Sequence, residues 1–454
     1  MRIDVLVAEI GSTTTVVNAF SIHQKPVAFL GRGIHQTTVD TDVRDGLEGA
    51  ILDLKMNLGV DTLTYDELYA SSSAAGGLKM TVHGLVYEMT AKAAEQAALN
   101  AGGNIHLITA NRIDPSDVEK VMNLKPNIIV VSGGTDFGEK EVVFENLKDL
   151  AVLGIPLIYT GNKVNHERIQ ALGYDHIRIV DNVYPRVDDF NIMPLREAIY
   201  ETFEKHIIHA KGMKYIFEMV NKGIIPTPGA VMDTTLLLDE MFDGVMTIDV
   251  GGATTDVHSV CEPKPEYQRM LEGQPKMKRT VEGDLGVYVN RHKVLSTLKD
   301  EDVKRVFELS LSEVKRVLDE EPFIPQTEKG KMIIDKLTEH CIELALDRHV
   351  GDLKRVFTTN GYKVIPDGKD TTQVKAIFLT GGALLYANHP EEMIKKYLSH
   401  KKTKLIPDEH TPIYIDKNYI FASLGVLSRI YPEETKALIH DSLKKVGSTS
   451  CTPN

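Results

Sequence analysis

One short pattern occurs twice in this chain, 240 residues apart, and few architectures accommodate it. The first copy runs from Ile3 to Ile10 as a partly alternating apolar stretch. It turns at Gly11-Ser12-Thr13-Thr14-Thr15 and leaves through Val16-Val17-Asn18-Ala19-Phe20. The second runs from Val245 to Val250, turns at Gly251-Gly252-Ala253-Thr254-Thr255 and leaves through Asp256-Val257-His258-Ser259-Val260. Strand, small-residue turn, strand is the pattern of a β-hairpin. An acid closes each incoming strand, Glu9 in one and Asp249 in the other. A long-range echo of this kind points to a duplicated structural unit.

Each turn offers what a triphosphate needs. Glycine lets the backbone come close, consecutive N–H groups form an anion-binding concavity, and hydroxyls add donors. A single Gly-Ser-Thr turn is more often only a tight hairpin. Two in register, each preceded by an acid, favour a clamp on Mg-ATP built from Gly11, Ser12, Thr13 and Thr14 with Gly251, Gly252, Ala253, Thr254 and Thr255. Mg²⁺ takes hard oxygen ligands and retains waters, which makes Glu9, Asp249 and the nearby Asp256 candidate metal ligands.

The remainder is mixed α/β. A further strand is expected around Leu78 to Val82, and an Ala-rich helix over 88–101 that stops at Gly102-Gly103. Residues 126–182 alternate strand, helix, strand, helix, strand, which implies parallel pairing and reads as a small α/β insertion. Helical stretches follow near 194–209, 212–222 and 229–242, and again at 299–320 and 330–349. Ala376 to Thr380 forms a last clear strand before Gly381-Gly382-Ala383. This gives a first lobe over 1–125 and 183–245, interrupted by 126–182, and a second over 246–454.

Bulk properties narrow the function. A net charge of -12 disfavours nucleic acid as a partner, since phosphate backbones need a basic face. No apolar run nears the roughly 20 residues that cross a bilayer, and no signal-peptide core follows Met1, so a soluble cytoplasmic protein without a membrane partner is expected. The three cysteines, Cys261, Cys341 and Cys451, lie far apart and form no C-x-x-C pair, which gives no support to a zinc or iron–sulfur site.

The motifs resemble those of the actin, Hsp70 and sugar-kinase superfamily. Asp249 to Val257 is similar to its second phosphate motif and Glu9 to Thr15 to its first. Ile377 to Leu385 is similar to its adenosine motif, with Gly381, Gly382 and Ala383 at the nucleotide, and Phe421 to Leu427 to the small-residue helix that follows. Within the superfamily the chain resembles the MutL/GlmL group, on Val7 to Thr15, Ser132 to Gly138, Tyr159 to Val164 and Pro226 to Gly229. The resemblance implies a two-lobed actin-like ATPase with ribonuclease H-like repeats, ATP or ADP with Mg as cofactors, and slow hydrolysis coupled to a conformational switch. It also implies a client, an adenosylcobalamin-dependent mutase or aminomutase, and leaves a homo-oligomer open. Glu9 departs from the Asp of most members.

Other features invite readings of their own. Gly133 to Lys140 imitates a phosphate-binding P-loop, but Glu139 stands where its lysine belongs. His206 and His209 share a helix face without a third ligand, and Asp188-Asp189 could serve as a polarising acid near the cleft, though a solvated turn explains them as well. Asp233 is a guess for positioning water, against the plainer reading of an acid in a helix's first turn. The rivals to a switch ATPase are a small-molecule kinase, for which no general base stands out, and a filament or scaffold protein, for which the C-terminal residues lack a membrane-anchoring helix.

Overall fold

The computed structural model describes residues 1–38, 42–73, 78–187, 189–207, 212–271, 274–358 and 361–447. The chain divides into two compact units. The first comprises Met1–Asp233 with Glu272–Pro275 and Gly425–Ile430, the second Thr234–Leu271, Lys276–Leu424 and Tyr431–Asn454. The division falls inside two helices, Thr227–Phe242 and Phe421–Ser428.

The strands of the first unit are β1 (Arg2–Ile10), β2 (Thr14–Ser21), β3 (Ala28–Gln36), β4 (Thr64–Ser72), β5 (Leu78–Gly84), β6 (Gly103–Ala110), β7 (Ile128–Gly133), β8 (Leu157–Gly161), β9 (Ile177–Ile179) and β10 (Ile225–Pro226). They form two sheets. One has the order β10-β4-β1-β2-β3, in which β1, β2 and β3 are antiparallel neighbours and β4 and β10 add in parallel. The helix Val43–Asn57 packs on β3 and β2 through Val43, Leu47, Ala50 and Leu54. Its start is set by Asp42, whose side chain accepts from the N–H of Arg44.

The other sheet is parallel throughout, with the order β6-β5-β7-β8-β9. Ile128 to Val131 are wholly buried, as expected of a parallel strand covered on both faces. The alternating elements expected over 126–182 are present and continue a sheet begun by β5 and β6. The strand expected near Leu78 to Val82 is β5, and it lies in this sheet, whereas β3 is the next strand after the opening hairpin in the first.

The strands of the second unit are β11 (Val245–Val250), β12 (Thr255–Val260), β13 (Met277–Glu282), β14 (Asp352–Thr358), β15 (Gly361–Asp367), β16 (Ala376–Thr380), β17 (Ile413–Asp416) and β18 (Leu443–Val446). Its main sheet has the order β13-β12-β11-β16-β17-β18. Three antiparallel strands followed by two parallel ones repeat the first sheet, with β16 and β17 in the places of β4 and β10. The hairpin register also repeats, each number raised by 240: Glu9 opposite Val16 becomes Asp249 opposite Asp256. Two such sheets in one chain constitute the ribonuclease H-like duplication of an actin-type α/β fold. The long helix Glu328–His349 covers the second sheet, burying Ile333, Leu337, Cys341, Ile342, Ala345 and Leu346. Among the described residues the ribbon β14–β15 pairs with none of the other three sheets. No described helix is long and apolar enough to cross a membrane.

Candidate functional site

Both hairpin turns close in the same way. Gly11 N–H donates to Thr14 O at 3.0 Å, and Gly251 N–H to Thr254 O at 2.9 Å. In the first, Thr13 O accepts from Thr37 N–H at 2.9 Å and the Ser12 hydroxyl donates to Ser73 O at 3.1 Å. In the second, the carbonyls are held from behind: Val287 N–H donates to Gly251 O, and Tyr288 and Val289 N–H to Gly252 O. The Asn290 side chain completes the brace with a 2.7 Å bond to Ala253 O. The N–H groups of Ser12, Thr13, Gly252 and Ala253 meet no acceptor among the described residues. Adjacent backbone donors without a protein acceptor are what an anion nest is built from.

The acids sit where the strands place them. Glu9 is buried at 6% exposure, and Asn18, on the adjacent strand, donates to its Oε1 at 3.3 Å. Asp249 lies in register with Asp256 on one side and Thr380 on the other. Asp256 is buried, accepts from Arg279 Nη2 at 2.6 Å and receives the Thr254 hydroxyl at 3.3 Å. The register therefore gathers Asp249, Thr254, Asp256 and Thr380 at one end of the second sheet.

The expected adenosine motif meets Asp249 directly. Gly381 has φ +95°, and a Cβ there would stand 2.4 Å from Asp249 Oδ1, so this left-handed residue must be glycine. Gly382 has open space where a Cβ would be, and the short helix Gly382–Tyr386 begins there and includes Ala383. Thr380 donates to Asp416 at 3.1 Å, and Asp416 also takes the N–H groups of Ile420 and Phe421 and the Ser442 hydroxyl. Burial pushes the Asp416 carboxyl above the usual range, and these donors oppose the shift.

Sequence reasoning did not find Asn18, Arg279, Asn290 or Asp416. Two of them left a signal, a polar residue inside an apolar strand or closing one: Asn18 after Val16-Val17, and Asp416 after Ile413-Tyr414-Ile415. Arg279 left none, because its strand Met-Lys-Arg-Thr-Val-Glu is mostly polar. Asn290 lies in a loop and left none.

The P-loop imitation is explained by its geometry. Glu139 Oε1 accepts the N–H groups of Glu141 and Val142, so a carboxylate caps the helix where a P-loop would receive phosphate. Asp233 lies in the second turn of its helix and not the first, because the helix begins at Thr227. Its charge is taken by Arg196 at 2.7 Å and Arg429 at 3.3 Å. Cys261 and Cys341 are buried free thiols. Asp188, His209, Cys451 and the side chain of His206 lie outside the described residues. Among those described, no three or more His, Cys, Asp or Glu side chains form a metal-binding group.

Comparison with known proteins adds a family. Among solved structures, acetone carboxylase in a nucleotide-free structure aligns at a TM-score of 0.40 and 12% identity, covering 94% of this chain and 70% of that one. Xylulose kinase from Lactobacillus acidophilus aligns at 0.35 and 12%, covering 98% and 93%. In sequence, Protein MutL of Clostridium tetanomorphum is 32% identical over 466 residues, which is 97% of this chain and 99% of that protein. The profile of the MutL protein family matches residues 5–443. The chain thus belongs to the MutL protein family.

Proposed function

We propose that this protein is an actin-like ATPase that uses nucleotide as a conformational switch to service a cobalamin-dependent mutase. The observation that carries the nucleotide half is the state of the two turns. The N–H groups of Ser12, Thr13, Gly252 and Ala253 meet no acceptor among the described residues, while the carbonyls of the second turn are tied back by residues 287–290. A triphosphate matches such donors.

In this proposal Gly11, Ser12, Thr13 and Thr14, and Gly251, Gly252, Ala253, Thr254 and Thr255, hold phosphates, and Gly381, Gly382 and Ala383 border the adenosine. Mg²⁺ would supply charge neutralisation on the phosphates. Its ligands would be Asp249 and Glu9, directly or through water, with Asp256 behind them orienting Thr254. The lengthened acid at position 9 suits slow turnover and a long-lived bound state. The client half rests on the MutL family and on the named relative. We assign client docking to the α/β segment at 126–182, where the Phe137 ring is 76% exposed beside Lys163.

The test combines binding with rescue. Calorimetry should give Mg-dependent ATP binding. A cobalamin-dependent aminomutase inactivated in turnover and supplied with fresh adenosylcobalamin should recover activity only with this protein and Mg-ATP. Binding without rescue removes the client assignment alone, and absence of binding removes the whole reading. Phe137→Glu should abolish rescue and spare ATP binding.

A further inference from the structure

We propose that the ribbon β14–β15 is an arm through which two copies of this chain associate, joined as one four-stranded antiparallel sheet about a two-fold axis at Val356. Among the described residues β14 and β15 form a sheet only with each other. A lone two-stranded ribbon is marginal in water, and this one carries its largest apolar groups uncovered. Phe357 and Tyr362 are 74% and 77% exposed, with ring centroids 5.3 Å apart.

The register decides which groups share a face. Phe357 stands opposite Tyr362 and Arg355 opposite Val364, so these four line one face. The free edge is located by its base. Leu353 turns its N–H away from β15 and donates it to Thr403 O at 2.7 Å, and Asp352 bridges to Lys404. Backbone groups alternate direction along a strand, so Arg355 and Phe357 present their N–H and C=O on that same outer edge. With 352–353 occupied, the open part runs from Lys354 to Thr358, and its centre is Val356.

An antiparallel second copy centred there places each Arg355 opposite Phe357 of the other copy. Both residues face outward, so each pair exchanges two main-chain hydrogen bonds, four in all. Each guanidinium also comes beside an aromatic ring, and the cation–π attraction is repeated by symmetry. Sliding one step that keeps the hydrogen-bond phase sets Arg355 against its own copy, a like-charge clash. Sliding the other way carries Arg355 past the end of the strand. One edge thus holds both a cation and its acceptor ring at two-residue spacing, a self-complementary arrangement that an isologous pair satisfies on both sides at once. Lys354 is already neutralised by Asp367. The small contact belongs to the weak class of interfaces.

Sedimentation velocity of the full chain from about 5 to about 200 μM, a span suited to weak interfaces, should show a monomer shifting to a dimer. Phe357→Pro removes an outward N–H and keeps the β14–β15 ladder, so it should stay monomeric with an unchanged melting curve. Arg355→Glu should weaken association at least about tenfold by placing an acid against the ring face. In a Cys451→Ser background, Val356→Cys should form an intermolecular disulfide, since residues facing each other in this register lie about 4.5 Å apart at Cα. Lys363→Cys, one strand removed, should not. A monomer at every concentration, a dimer that survives Phe357→Pro, or equal cross-linking by Lys363→Cys would each overturn the proposal.

Discussion

At the scale of single residues, the second hairpin separates two carboxylates that the sequence alone treats alike. Asp256 is held by a buried arginine, whereas Asp249 stands against Gly381 at the end of its strand. We expect Asp249→Asn to act through the metal, because it keeps shape and loses a hard anionic ligand. ATPase turnover should fall most at limiting Mg²⁺, with nucleotide binding in EDTA nearly unchanged. Equal turnover at limiting Mg²⁺ by wild type and variant would refute this role. Asp256 should behave differently, as part of the fold. Arg279→Met strands a buried carboxylate and should cost about 3–5 kcal/mol, measured by urea unfolding. Adding Asp256→Asn should return a large part, and no recovery in the double variant would show that Arg279 acts by packing alone.

At the scale of elements, the hairpins were legible because turn chemistry is local: small residues between apolar runs need no distant partner to be recognised. The strand β3 was not. Its Gly31-Arg32-Gly33 breaks the alternation that marks a strand, and the reason lies 17 residues on. A Cβ at Gly33 would stand 2.0 Å from Ala50 O, so close approach of the helix Val43–Asn57 dictates glycine there. The association of β5 and β6 with β7 was hidden for a similar reason, since sheet neighbours are chosen by topology and not by spacing. That sheet carries a pH-sensitive group. His83 is buried between Thr81 and Thr109, and burial lowers its imidazole from 6.5 to about 4. On acidification the unfolded chain takes the proton first. Stability present above pH 6.5 should therefore be lost as pH falls toward about 4, by at most about 3 kcal/mol. His83→Gln removes that proton uptake, so the gap in unfolding free energy between wild type and variant should narrow from pH 7 to pH 4.5. Parallel curves would show that His83 does not titrate in this way.

At the scale of the whole molecule, the repeat 240 residues apart was the feature from which the duplicated fold could be read, because both copies keep the same strand order. Bound nucleotide should stabilise the native chain by mass action, and a ligand at 100 times its Kd contributes about 2.7 kcal/mol. A rise in melting temperature with Mg-ATP, smaller in Asp249→Asn at low Mg²⁺, is the expected outcome, and an unchanged melting curve of the wild type at saturating nucleotide would count against the site. The nesting of one sheet within another also sets a schedule. Strand β4 ends at Ser72, and its parallel neighbour β10 begins at Ile225. At about 5–20 residues per second of synthesis, roughly eight to thirty seconds pass before the first sheet can receive its last strand. All five strands of the intervening sheet emerge in that interval. The inner sheet can therefore fold first on the ribosome, while the exposed end of β4 waits for a strand not yet made.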